Sequence, residues 1–255
     1  MTTNSAVVIF AKHPSPGRVK TRLTQDEIPG WGFITPEQAA DLYRAFLMDY
    51  IQRFTQSLLP LDAMFCLRPG PQIEKFEAEF ANNNLPVLTE PTWNGKQASS
   101  IGEAMGFTIR HLLATGYRKV MILGSDLPHL EHSLLAEADR MLDSHRLVLG
   151  NDGGGCFLVG ASSDPISLVD SSVVWSQGKD FHQLCELEKQ AGHAVGILSQ
   201  TVEDLDTPSD LLRFLELAHS TDSYHNIVPN TLSVLKKWGL YRGGRHDETS
   251  SDRNG

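Results

Sequence analysis

The chain has 255 residues, is 40% hydrophobic and carries a formal net charge of −9. That supplies a sizeable core for one α/β domain with a tail, and argues against nucleic acid or an anionic membrane as a general partner. No long apolar run suits a membrane span, and the start, MTTNSAVVIFAKHP, lacks a signal peptide's charged onset and apolar middle, so a cytoplasmic location is expected.

In chain order, Ala6 to Ala11 (AVVIFA) reads as a strand buried on both faces. Lys12 to Leu23 (KHPSPGRVKTRL) has neither helical nor strand period and reads as a fixed loop, turning at Gly17 after Pro16. Thr35-Pro36-Glu37-Gln38 has the form of a capping box with Pro at the first helical position, and predicts a long amphipathic helix over Pro36–Leu58. A strand is expected over Asp62–Leu67, a short charged helix over Pro71–Ala81 and a short strand over Leu85–Leu88. The polar loop Glu90–Ser100 leads into a helix ending near Ala114.

Four apolar residues, Val120 to Leu123, then stop at Gly124-Ser125-Asp126, which marks a buried strand over Arg118–Gly124. Further on come a helix over Leu134–Leu142, a strand over Arg146–Leu149, a glycine turn over Asn151–Gly155 and a strand over Cys156–Val159. A helix over Lys179–Ala191, an extended stretch over Val195–Leu198 and a helix from Pro208 to about Ala218 complete the alternation. Strands alternating with helices predict a mostly parallel sheet covered on both faces. The domain is expected over 1–220, an extension with a short helix capped by Asn230 over 221–242, and a disordered tail over 243–255. Cys66, Cys156 and Cys185 are odd in number, lack metal-site spacing and read as reduced core thiols.

Three places could carry chemistry. Lys12, Arg18, Lys20 and Arg22 put 4 of the chain's 22 Lys and Arg within 11 residues of an acidic protein. Such a loop suits a phosphorylated ligand, because guanidinium and ammonium groups neutralise phosphate oxygens and Gly17 lets backbone N–H groups approach. Asp126 ends a strand, where ligands of open α/β sheets sit. It and Asp206, in Asp204-Leu205-Asp206-Thr207-Pro208, are candidates to hold Mg²⁺ or Mn²⁺ with phosphate oxygens. Helix capping is the competing reading for each: Asp126 before the next helix, and Asp206 or Thr207 before Pro208. The Asn151–Gly155 turn either is a plain tight turn or lets a ligand approach bare backbone, with Asp152 near an acceptor. His129 and His132 read as packed histidines rather than ligands, since Pro128 breaks helical spacing. Trp93 and Trp175 serve equally as stacking platforms or packing anchors.

Together these segments resemble the bacterial glycosyltransferase-like proteins of the GT-A superfamily with the signature FAKxPxPGxVKTRL. Phe10-Ala11-Lys12-His13-Pro14-Ser15-Pro16-Gly17-Arg18-Val19-Lys20-Thr21-Arg22-Leu23 matches it at every defined position. GSDxPxL is present at Gly124–Leu130, aspartate-threonine-proline at Asp206–Pro208 and a Trp-Ser pair at Trp175-Ser176. The likeness spans about residues 5–218, and its Lys-Thr-Arg-Leu portion is also similar to phospholactate guanylyltransferases.

The resemblance implies a GT-A, nucleotide-diphospho-sugar transferase fold: a three-layer α/β sandwich on a mostly parallel sheet. It implies a metal-dependent transferase with a nucleotide-activated donor, either a nucleotide-sugar for glycosyl transfer or a nucleoside triphosphate for nucleotidyl transfer. A catalytically silent nucleotide-binding protein is the third reading. Ala11, Lys12, Pro16, Gly17, Arg18, Lys20, Arg22, Gln97, Gly102 and Ser125 would then bind the nucleotide. Asp126 and Asp206 would hold Mg²⁺ or Mn²⁺, and Asp126, Lys20 and Asp152 would act in catalysis on a small-molecule acceptor. Two departures fall where an acceptor would lie. Ser100 and Ala104 stand where relatives carry an acid and an Arg, and Asp152-Gly153-Gly154-Gly155-Cys156-Phe157 replaces an aspartate-Gly-Gly-aromatic turn.

Overall fold

Uninterrupted apolar runs become strands with both faces covered. The structure, a computed structural model, describes residues 4–80, 85–221 and 223–242; the tail expected over 243–255 lies outside the described residues. Its seven strands are β1 (Ser5–Phe10), β2 (Leu61–Leu67), β3 (Val87–Thr89), β4 (Lys119–Gly124), β5 (Leu147–Asn151), β6 (Cys156–Ala161) and β7 (Val195–Ile197). They form one sheet in the order β3-β2-β1-β4-β6-β5-β7. All pairings are parallel except those of β6, which runs antiparallel between β4 and β5. The glycine turn explains the reversal: so short a connection joins only antiparallel neighbours, whereas parallel strands need a long crossover.

The chain divides into two compact units. The first, Met1–His13, Phe54–Ser125 and Leu130–Glu203, contains the whole sheet. Alternate residues of its strands meet different helices. Ala6, Val8, Val120, Ile122, Val159 and Ala161 share a buried cluster with Met105 and Ile109 of α3 (Ile101–Ala114) and Phe181 and Leu184 of α5 (Asp180–Gln190). On the opposite face, Phe65 meets Phe76 of α2 (Gln72–Phe80) edge-on at 5.2 Å between ring centres. The helix α4 (His132–Met141) covers the same side at its C-terminal end, where the Met141 methyl stands against Gly196. Three layers are thus complete within this unit, as the α/β reading requires.

The second unit is Pro14–Arg53, Asp126–His129 and Asp204–Gly255. It holds nearly all of α1 (Pro36–Thr55), together with α6 (Pro208–Ser220), α7 (Tyr224–Ile227) and α8 (Pro229–Lys237). Residues 42, 46 and 49 follow one stripe of α1, so Asp49 falls among its buried positions, with a relative exposure of 1%. Its carboxylate accepts from the Asn230 backbone N–H at 2.8 Å and side-chain amide at 2.9 Å. It also takes the Thr231 N–H at 3.0 Å and hydroxyl at 2.5 Å. An acid on α1 therefore satisfies the open N–H groups of α8, where the sequence pointed to Asn230 as the cap. Nearby, the Trp31 indole donates to the Trp238 carbonyl at 2.7 Å.

Helix boundaries otherwise shift by one to three residues from expectation, α1 stopping at Thr55 rather than Leu58. Among the described residues no helix is long and apolar enough to cross a membrane. Cys66, Cys156 and Cys185 are free thiols, buried or half-buried.

Candidate active site

The second unit brings Lys20, Arg22, Asp126 and Asp206 together. The loop that sequence alone leaves irregular carries Lys20 in the left-handed region, at φ 49 and ψ 36, just before a 3-10 turn over Thr21–Thr24. A non-glycine residue held there costs about 1–3 kcal/mol and persists only where its surroundings impose it. Here the surroundings are oxygens. The Lys20 ammonium, with its side chain 2% exposed, lies 2.5 Å from Asp126 Oδ1 and 2.8 Å from Asp206 Oδ1. Its third partner is the Leu205 carbonyl at 2.8 Å. An ammonium has three N–H groups, so all are engaged. The ammonium also stands 5.2 Å from the centre of the Phe46 ring.

Arg22 pairs with the other oxygen of Asp206, Oδ2. Burial alone would lower the Lys20 pKa, but Asp126 and Asp206 outweigh it and hold it above its ordinary value. Burial likewise pushes Asp206 up, and the charges of Lys20 and Arg22 reverse that, leaving its pKa depressed.

Asp206 is available for this because it does not cap α6. Thr207 does: its hydroxyl accepts from the Asp210 N–H at 3.2 Å, while Asp210 Oδ2 accepts the N–H groups of Thr207 at 2.7 Å and Asp206 at 3.1 Å. Capping thus fixes the backbone of 206 and leaves its carboxylate to the cluster.

Asp126 is fixed through the carbonyls around it. The Leu205 N–H donates to the Asp126 carbonyl at 3.0 Å, and the Tyr50 hydroxyl donates to that of Leu127 at 2.8 Å. Arg53 donates to the Pro128 carbonyl and, at 3.2 Å, to that of Ile227. Three successive carbonyls are therefore gripped. Sequence reading missed Tyr50 and Arg53, although both follow Asp49 within little more than a turn. His129 packs between Phe214 and Tyr224, with ring centres at 5.7 and 6.1 Å. Burial, aided by the Arg53 and Lys20 charges, lowers its pKa to about 4, so it is a neutral, packed imidazole.

The remaining predicted residues are placed as follows. Pro16, Gly17 and Arg18 are exposed, and Gly17 adopts φ 70 in a turn closed by the Arg18 N–H on the Ser15 carbonyl at 3.0 Å. In the first unit Lys12 and Gln97 are exposed, Ser125 is buried, and the buried Ala11 donates its N–H to Cys66. Gly102 has a packing role in this structure. A Cβ there would lie 2.3 Å from the Leu168 carbonyl and 2.4 Å from the Trp175 indole, so the glycine admits that ring against α3. Trp175 is accordingly an anchor. Ser100 caps α3 by accepting from the Glu103 N–H at 3.1 Å, and Ala104 is buried.

Asp152 is absorbed in its own turn. Its Oδ1 accepts from the Gly155 N–H at 2.6 Å, while Asn151 Oδ1 accepts from Gly153 and Gly154, each at 2.9 Å. Asp180 takes the Cys156 N–H at 3.0 Å.

For a divalent cation the donor set is the test. Two carboxylates and a carbonyl converge on one positive centre, the oxygen-rich surroundings that Mg²⁺ and Mn²⁺ prefer. Here the positive centre is Lys20. Asp206 has both oxygens engaged by cations, whereas among the described residues Asp126, with its side chain 37% exposed, meets a cation through Oδ1. No group of three or more His, Cys, Asp or Glu among the described residues is arranged to hold a metal. The oxygens fit such an ion, provided that Lys20 gives way.

Known proteins agree on the architecture. A provisionally assigned nucleotide-diphospho-sugar transferase from Desulfovibrio desulfuricans G20 superposes with a TM-score of 0.77 at 26% identity, over 92% of this chain and 95% of that one. This is the fold of the nucleotide-diphospho-sugar transferases. A cytidylyltransferase from Leptospira borgpetersenii shares the fold at 10% identity and a TM-score of 0.51, over 92% of this chain and 94% of its own. Residues 60–177 match the family described as an uncharacterized protein conserved in bacteria, DUF2064. No curated protein matches the sequence.

Proposed function

We propose that this chain is a metal-dependent transferase acting on a nucleotide-activated donor, and that the donor is a nucleotide-diphospho-sugar. The observation that carries the reading is the meeting of the loop cations Lys20 and Arg22 with Asp126 and Asp206. It lies in a fold shared, at 26% identity, with a protein assigned to that class. Asp126 and Asp206 would hold Mg²⁺ or Mn²⁺, which when bound neutralises charge on the departing diphosphate. Arg22, with its side chain 59% exposed, presents a guanidinium to phosphate oxygens, and Arg18 adds a second exposed cation. Tyr50 and Arg53 hold the Leu127 and Pro128 carbonyls that follow Asp126, and the Leu205 N–H holds its own, so the carboxylate is pre-set rather than recruited.

Nucleotidyl transfer is the second reading, favoured by the density of cations in the first loop, which suits the larger charge of a departing pyrophosphate. The leaving group decides. Incubation with a panel of nucleotide-sugars and nucleoside triphosphates plus Mn²⁺ is expected to release nucleoside diphosphate. Pyrophosphate from a triphosphate would move the assignment to nucleotidyl transfer. Ligand-dependent thermal stabilisation without turnover would identify a silent nucleotide-binding protein.

A further inference from the structure

We infer that Lys20 is an exchangeable resident cation: it fills the cradle of Asp126, Asp206 and the Leu205 carbonyl, and yields that place to a divalent cation. The inference rests on the reading that Asp126 and Asp206 face the ligand, and it adds the order of events. Lys20 cannot serve phosphate as it stands, because each of its three N–H groups already has an oxygen within 2.8 Å. Any role toward an anion requires release, and release requires another positive charge between the carboxylates, since the two acids repel once no cation stands between them.

Charge balance sets the consequence. Lys20 and Arg22 offset Asp126 and Asp206, so the cluster is neutral as it stands. With a divalent cation in the cradle and Lys20 still nearby, the same groups carry a surplus of about two positive charges, which a diphosphate or pyrophosphate offsets. Cation and anion therefore favour each other's binding, and by linkage each raises the other's affinity by the same factor. Lys20 in this view suppresses metal binding until the phosphorylated ligand arrives.

The test uses Mn²⁺ alone, with the full chain, by titration calorimetry or by the spin-resonance signal of free Mn²⁺. Lys20→Met keeps most of the apolar stem beside Phe46 and removes the charge. It is expected to bind Mn²⁺ at least tenfold more tightly than wild type and to gain more thermal stability from it. A folded Lys20→Met protein with wild-type Mn²⁺ affinity overturns the exchange. Should the variant not fold, acetylation of wild-type Lys20, read by mass spectrometry against the exposed Lys189, decides: saturating Mn²⁺ is expected to speed it severalfold. An unchanged rate overturns the inference. Adding inorganic pyrophosphate to wild type is expected to tighten Mn²⁺ binding at least tenfold, and an unaltered affinity would overturn the coupling. None of these measurements needs a sugar donor, so their failure and that of the transferase reading are separately visible.

Discussion

Two polar regions invite comparison: the Lys20 cluster of the second unit and the Asn151–Gly155 turn of the first. Both place carboxylates beside loops where sequence suggested ligands. In the turn, Asn151, Asp152 and Asp180 accept from backbone N–H groups, all but the last within three residues of themselves. In the cluster, Asp126 and Asp206 meet cations more than 100 positions away in the chain. A carboxylate consumed by neighbouring amides makes a stiff turn, whereas one balanced by a side-chain ammonium can change partners. The comparison teaches that an acid near a glycine run is weaker ground for chemistry than an acid facing a buried cation.

The largest break in that contrast should come from Asp206→Ala. It leaves Lys20 buried with one carboxylate fewer, and breaking a buried pair typically costs about 3–5 kcal/mol; the urea midpoint of the folded chain should fall accordingly. A loss no larger than at an exposed acid would show the cluster to be solvated. Gly154→Ala attacks the turn instead. Glycine there has φ 154, and a Cβ would lie 2.5 Å from the Gly178 carbonyl, so a destabilisation of about 1–3 kcal/mol is expected by thermal melting. Arg22→Ala should weaken nucleotide binding by about 1–3 kcal/mol in titration calorimetry, the scale of a charged hydrogen bond, with little effect on melting.

Acidity sharpens the comparison because the two regions respond with opposite sign. The folded-state pKa of Asp206 is depressed, so its stabilisation is present above the ordinary value of 3.8 and is lost as pH falls through the depressed one. Asp180 is raised, chiefly by burial, so its contribution is full below 3.8 and is lost as pH rises through the raised value. Lys20, raised from 10.5, loses its contribution only on the alkaline side. Denaturation midpoints against pH should therefore show Asp206→Asn flattening the acid limb and Asp180→Asn leaving that fall in place. The smallest effect belongs to Asp152→Asn, which keeps an oxygen for the Gly155 N–H and should change stability by less than about 0.5 kcal/mol. Undiminished turnover in that variant would remove Asp152 from the catalytic set.

How far the sequence reached follows from what kind of interaction each feature needs. Val120–Leu123 and Val7–Ile9 declare buried strands because their apolar runs leave no polar face. Thr35 and Thr207 announce helix starts through local capping chemistry, and Gly17 its turn through the preceding Pro. Asp126 and the loop cations were likewise visible as charges out of keeping with their neighbourhoods. The pairing of Lys20 with both acids was not, since it joins segments 106 and 186 residues apart through a left-handed backbone at a lysine. Nor was the packing role of Gly102, which depends on Leu168 and Trp175, residues more than 60 positions away in the chain. Asp49 did offer a clue: an acid on the apolar stripe of α1 signals a buried partner, but not that the partner lies at residues 230 and 231.

That acid has a practical consequence for anyone shortening the protein. A chain ended at residue 221 would strip four donors from a carboxylate that burial already drives toward its protonated form, and would remove the Ile227 carbonyl from Arg53. The same guanidinium steadies Pro128, two positions beyond Asp126. Trimming what looks like a dispensable appendix would thus be felt beside Asp126.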